Sequence, residues 1–220
     1  MKIYLATARL DDIGWAAEGG LVDGIVTTPG LLAAERSGDG RELLGEICRS
    51  SSVPVCASVG AVSAADIFRE GRELARIDDR LVVQVPLVED ATGAIRRLAA
   101  EGVHIGATLV FNAAQAVLAA KAGATMVTVP VDQLDAYGHS GIEAVTEMRA
   151  VFDTHGIECD IMAASPQNAA QFTSCAMAGS DAALVQLPVL RSLLIHPLTD
   201  RGIDQFLSEL SKRPKARATL

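Results

Sequence analysis

Gln84 stands in the middle of an apolar, β-branched run, Leu81-Val82-Val83-Gln84-Val85-Pro86, that a proline stops. A buried amide has to find hydrogen-bond partners. Two readings follow. In one, Thr108 or Ser58 satisfies the amide and it ties neighbouring strands together. In the other, it orients a ligand oxygen. A second group surrounds His139, with Asp132, Asp135 and Tyr137 close in sequence. A histidine titrates near neutrality and suits a general base, and Tyr137 could assist it. The alternative is an exposed loop histidine. A metal at His139 has no support from His-x-His or Glu-x-x-His spacing, so no metal and no cofactor are expected. Cys56 could in principle add to a carbonyl, but it reads more simply as a small core thiol.

The elements that must position these groups alternate from end to end. Strand-like segments are read at 2–7, 24–28, 53–59, 81–86, 104–110, 126–131, 159–164 and 182–187. Ala-rich helical segments lie between them. In Ala113–Ala122, Val117 and Leu118 are expected to share a face with Ala114, with Lys121 pointing elsewhere. In 142–152, Ile142, Val145, Met148 and Phe152 recur at helical spacing. Repeated βα units imply parallel strands joined by right-handed crossovers. About eight such units make a (β/α)8 barrel. An open doubly wound sheet would carry a Gly-rich turn after its first strand, and Ala6-Thr7-Ala8-Arg9-Leu10-Asp11 has none. A further helix is expected at 204–210, capped by Thr199 or Asp200.

The chain has 220 residues, 50% hydrophobic, with net charge -8. One domain over 1–220 accommodates this, with 197–220 as a C-terminal helix and tail. The acidic balance argues against nucleic acid, which needs clustered Lys and Arg. The one basic cluster is the tail Lys212-Arg213-Pro214-Lys215-Ala216-Arg217, read as a solvated or oligomer-contact segment. No signal peptide and no membrane-spanning run are read. Cys48, Cys56, Cys159 and Cys175 lack metal-type spacing, and reduced buried thiols in a cytoplasmic protein are expected.

Several stretches carry a resemblance. They are Gly106-Ala107-Thr108-Leu109-Val110-Phe111-Asn112, Leu134-Asp135 with Gly138-His139-Ser140-Gly141-Ile142, Ala163-Ala164-Ser165, and Asp23-Gly24-Ile25-Val26-Thr27-Thr28-Pro29. Together they resemble the transaldolase and fructose-6-phosphate aldolase family over nearly the whole length. The resemblance implies a TIM barrel, and rings that are often pentamers paired into decamers, with C-terminal helices reaching a neighbour. It also implies a Schiff-base lysine where this chain has Gln84, an aspartate at Ala6, an asparagine at Thr28, a tyrosine at Pro130 and an arginine at Gln133. Gln167 lies near where a second basic residue is implied. Thr108 and Ser165 match, and Asp135 matches a family aspartate. An amide nitrogen shares its lone pair with its carbonyl and cannot form an iminium. None of Lys2, Lys121, Lys212 and Lys215 has the setting of an imine-forming amine.

In a barrel the site lies at the C-terminal mouth. The groups expected to act chemically are Gln84, Thr108, His139 and Tyr137. Those expected to bind substrate are Thr27, Thr28, Ser58, Asn112, Asp132, Gln133, Ser165 and Gln167. Most are neutral, which suits a small carbonyl or polyol rather than a phosphate. The expected function is carbon–carbon or related carbonyl chemistry without a lysine Schiff base. The rival is a non-catalytic barrel that binds a sugar-like ligand or serves in an assembly.

Overall fold

A computed structural model describes residues 1–35 and 40–212. The strands are β1 (Lys2–Ala6), β2 (Gly24–Thr27), β3 (Val55–Ser58), β4 (Val82–Pro86), β5 (His104–Thr108), β6 (Met126–Pro130), β7 (Asp160–Ala164) and β8 (Ala182–Val185). They pair in sequence order, all parallel, and β8 closes onto β1. The helices are α1 (Leu10–Glu18), α2 (Pro29–Glu35), α3 (Gly40–Ser50), α4 (Ala64–Ala75), α5 (Ala91–Ala100), α6 (Ala113–Ala122), α7 (Val131–Ala136), α8 (Gly141–His155), α9 (Ala169–Met177), α10 (Leu187–Ser192) and α11 (Pro197–Lys212). This is a TIM barrel with an additional C-terminal helix.

Strand alternation builds two cores. Tyr4, Val26, Cys56, Met126, Met162 and Ala182 pack together inside the barrel. Leu5, Ile25, Val83 and Ile105 point outward and pack with helix residues such as Ile47, Ile67 and Leu98. On the β5–β7 side, Val127, Val129 and Ile161 do the same against Val145, Met148 and Phe152 of α8. The lower lumen is filled by Tyr4, whose ring occupies the space a side chain at residue 24 would need; only glycine fits there.

Three local expectations change. Helix α6 buries Ala116 and Ala119, while Leu118 stays exposed. The small residues let α6 lie close to the sheet, and that turns the larger Leu118 outward. The last helix starts earlier than expected, at Pro197, where proline's fixed φ suits the first helical position. Neither Thr199 nor Asp200 caps it. Instead the His196 Nδ1 accepts from the Leu198 amide at 3.1 Å. The basic tail from Arg213 onward lies outside the described residues. No described helix is long and apolar enough to cross a membrane.

Candidate active site

Register fixes what faces what inside the barrel. Gln84 lies beside Ser58 on β3 and Gly106 on β5. Following the registers around the staggered, closed sheet puts Gln84 in a four-residue layer with Val26, Thr128 and Leu184. The layer beneath holds Tyr4, Cys56, Gly106 and Met162. The layer above holds Ala6, Ser58, Thr108 and Ala164, all small. The upper lumen is therefore a cup whose floor carries Gln84 and Thr128.

Gln84 is 3% exposed and its Oε1 accepts from the Ser58 hydroxyl at 3.1 Å. Among the described residues its amide nitrogen has no protein partner. Thr128 is 6% exposed, and its buried Oγ1 also has no partner among them. Thr108 ends β5 half-buried in the layer above. Beneath the floor, burial pushes the Cys56 thiol and the Tyr4 phenol each up to about 12, so both stay protonated and neutral. A thiolate nucleophile is not available there at neutral pH. The other three cysteines are also buried and free, and burial raises their thiols as well.

The remaining residues disperse. Thr27 shares the outward phase of Ile25, and its fully buried Oγ1 faces the helix layer rather than the lumen. Thr28 follows β2 and its Oγ1 accepts from the Leu31 amide at 3.2 Å, capping α2 ahead of Pro29. Asn112 caps α6 through the Gln115 amide at 2.9 Å. Ser165 lies just past β7 with φ 63°, and Leu109 lies just past β5 with φ 58°. They are the only non-glycine residues with positive φ among those described. Both are at the mouth, where such strain, about 1–3 kcal/mol each, tends to accompany function. The Gln167 Nε2 donates to the Ser165 carbonyl at 2.8 Å and so braces that turn. Asp132, in the first turn of α7, has a buried Oδ1 without a partner among the described residues.

His139 and Tyr137 stand elsewhere. With Phe111, Asn112, Gln133, Leu134 and Glu143 they line a cavity of about 560 Å³ between α7, α8 and the loop that leads into α6. Tyr137 is 85% exposed. The lining of this groove includes none of Gln84, Ser58, Thr108 or Thr128. Asp135 is structural: its Oδ1 accepts from the Gly141 amide at 2.9 Å and its Oδ2 from the Gln171 Nε2 at 2.7 Å. Among the described residues no group of three His, Cys, Asp or Glu could hold a metal ion.

Two mouth-side polar residues escape the sequence reading, Thr128 and Gln186. Strand phase was the available signal. Thr128 stands two residues before Pro130, and Gln186 two after Leu184, so each continues an inward-facing series. Lys2 opens β1 at the opposite end and pairs with Asp160 at 2.9 Å. The hydrogen bond and charge of Asp160 raise its pKa, the wrong direction for an imine-forming amine. Lys121 is exposed on α6. No lysine reaches the lumen among the described residues.

A closed parallel barrel with its polar cup at the C-terminal ends of the strands has the layout of TIM-barrel enzymes. The chain belongs to the transaldolase/fructose-6-phosphate aldolase family, whose model matches residues 3–218. A probable transaldolase of Clostridium perfringens is 39% identical over 212 residues, 96% of this chain and 98% of that protein. One of Thermodesulfovibrio yellowstonii is 38% identical over 218 residues, covering 98% of this chain and all (100%) of the relative. Among solved structures, one described as "Native KDPGal structure" matches with TM-score 0.63 at 14% identity, covering 92% of this chain and 95% of that one. A designed cube-shaped protein cage matches with TM-score 0.65 at 12% identity, covering 96% and 77%. These two likenesses speak to the fold alone.

Proposed function

We propose that this chain is a transaldolase-family enzyme acting on a small, unphosphorylated carbonyl or polyol compound without a lysine Schiff base. The observation that carries the reading is Gln84, an amide on β4 at the floor of the cup, where the family resemblance implies a lysine. Its N–H donors can polarise a ketone oxygen, as preorganised donors do for developing oxyanions. Thr108 adds a hydroxyl from the layer above. Asp132 is the carboxylate we assign to proton transfer. His139, Tyr137 and Gln133 border the groove beside the mouth and would meet parts of a ligand that extend past the rim. Ser165 and Gln167 shape the rim over β7.

The test is a panel of hydroxyketones and hydroxyaldehydes, with and without phosphate, followed for turnover and binding. Turnover of an unphosphorylated member is expected, and Asp132→Asn should lower kcat about a hundredfold. Phosphate esters should bind no better than the free compounds, because Gln133 and Gln167 offer neutral bonds where charge-assisted ones are roughly twice as strong. Binding without turnover across the whole panel would favour the non-catalytic rival. A phosphate ester bound tenfold tighter, about 1.4 kcal/mol, would remove the unphosphorylated class.

The reading includes a homo-oligomeric ring, pentameric or decameric as the family resemblance implies. Helix α11 supports it. Its described side chains are all exposed, and Ile203, Phe206, Leu207 and Leu210 recur at helical spacing as an apolar stripe. A stripe of this kind needs a covering surface. Light scattering should give a multiple of the 23.0 kDa chain mass. Phe206→Glu with Leu207→Glu should shift it to monomer, and a wild-type monomer at every concentration refutes the ring.

A further inference from the structure

We propose that the rim over β3, β4 and β5 is an apolar subsite, formed by Val62, Val88 and Leu109, that takes an uncharged alkyl or aryl substituent of the carbonyl compound. The inference deepens the unphosphorylated-carbonyl reading above, rests on it, and narrows the substrate class.

Three observations converge. First, these residues follow three adjacent strands, and all face solvent: Val62 is 67% exposed, Val88 40% and Leu109 45%. Pairing runs on past the strand ends. The Val59 amide donates to the Gln84 carbonyl at 3.0 Å, and the Leu87 amide to the Thr108 carbonyl at 2.9 Å. The three loops therefore leave the barrel side by side, over an arc about 10 Å wide, above the layer that holds Ser58 and Thr108. Second, the backbone holds Leu109 there. In a regular strand Thr108 faces the lumen and Leu109 would face the helix layer. The positive φ of Leu109 reverses that phase. Val110 is fully buried in the helix layer with Ala107, Val127 and Val129, and Leu109 is left at the mouth. A leucine in the left-handed region is disfavoured, and an exposed one gains little from burial. Folding does not account for a leucine at this place, since β7 makes the same turn with Ser165 ahead of the buried Pro166. Third, the mouth has two unlike sides. Gln167 and Gln186 are exposed past β7 and β8, and β8 lies across the closed ring from β4.

The surroundings select the substituent's chemistry. Ala61 and Leu87 are half-buried beside the exposed residues and pack on the core beneath, which gives the arc an apolar footing. Val62, Val88 and Leu109 offer no side-chain donor or acceptor. Glu89 and Asp90 follow Val88 and are exposed, so their charge repels a phosphate or carboxylate brought to this rim. An alkyl or aryl group gains by leaving water against the three side chains, while the carbonyl it carries reaches down toward the Gln84 amide. Hydroxyl groups suit the opposite rim, where Gln167 and Gln186 stand.

The probes are hydroxyacetone and hydroxymethyl hexyl ketone, which share the hydroxy-carbonyl end and differ only in alkyl length. Titration calorimetry and thermal melts are run on the full chain as it assembles. The proteins are wild type, Leu109→Asn, the triple variant Val62→Thr with Val88→Thr and Leu109→Asn, and Tyr137→Ser. Threonine keeps the shape of valine, and asparagine tolerates the left-handed region, so the triple variant should melt as wild type does. Wild type should bind the hexyl ketone about tenfold more tightly than hydroxyacetone. Leu109→Asn should lose part of that preference, and the triple variant most of it. Equal binding of the two ketones by wild type overturns the proposal, and so does a wild type that binds neither. A preference that survives in the triple variant overturns it too. If Tyr137→Ser abolishes the preference, the alkyl chain lies in the groove beside the mouth and the arc is not its site. A triple variant that dissociates the assembly or melts several degrees lower makes the arc a contact surface or part of the core, which also overturns the proposal. Arc-dependent preference without turnover leaves this subsite standing and removes the enzyme reading. Turnover of both ketones without preference does the reverse.

Discussion

Borohydride added to the wild-type protein with dihydroxyacetone is expected to leave no specific covalent adduct, whereas Gln84→Lys is expected to give one. An imine forms when an amine attacks the ketone and water leaves. Borohydride then delivers hydride to carbon, a proton completes the secondary amine, and the peptide gains the ketone's mass less water plus two hydrogens. The described wild-type lysines are badly placed for this. Lys2 is held protonated by Asp160 at the far end of β1, and Lys121 is exposed on α6. A lysine at 84 would sit in a layer with Val26, Thr128 and Leu184, where burial disfavours the ammonium and leaves a nucleophilic amine. Fast aldol turnover should not follow. Ala6 and Pro130 supply no group to shuttle protons at the new imine, and residues that act as a unit do not contribute additively. Peptide mass spectrometry decides the matter. A robust wild-type adduct on Lys2 or Lys121 would mean that this barrel is a Schiff-base enzyme with a displaced nucleophile.

Alternation defines the fold, because eight short, mostly apolar strand segments separated by helical segments leave few other architectures. Strand ends were less legible. Val131 reads as the end of a strand, yet it begins α7, because a helix can start directly after Pro130. The site divided along the same line. The sequence leaves Gln84 with Thr108 or Ser58 as its partner, and the structure bonds it to Ser58. Thr27 differs from the lumen residues by one residue of phase: adjacent strand residues face opposite sides, so a hydroxyl at the right height can still point into the helix layer. Thr128 carries no local mark, because threonine is common in strands and nothing in the sequence distinguishes a hydroxyl facing a lumen from one facing a helix. The grouping of His139 with Asp132 rested on sequence proximity, but the chain turns between them. Asp132 is left in the first turn of α7 and His139 past its end.

The other large effect is expected at Gly141, which joins α7 to α8. A Cβ there would lie 2.7 Å from the Cα, the Cβ and the carbonyl oxygen of Val131. Val131 is fully buried and is the first residue of α7. Two of the three clashing atoms are backbone, so no rotamer change relieves them. The Gly141 amide is also fixed by Asp135, and Ser140 caps α8 by accepting from the Glu143 amide at 3.2 Å. The segment has no freedom to step aside without losing these bonds. Gly141→Ala should therefore cost about 3 kcal/mol, at the upper end for overpacking. For a chain of this size that corresponds to a fall in Tm of roughly 6–12 °C. Gly93→Ala is the matched control. It lies in α5 with nothing within 4 Å of its added methyl, so replacing glycine in a helix should stabilise by about 0.5–1 kcal/mol. Opposite signs at two helical glycines are the expected result, read by thermal melts of the assembled protein. Because the clash presses on α7, Gly141→Ala should also displace Asp132 and Gln133, and binding at the mouth should weaken even at temperatures where the variant stays folded. An unchanged melting temperature for Gly141→Ala would show that α7 and α8 do not meet as closely as described, and the placement of Asp132 at the mouth would have to be redrawn with them.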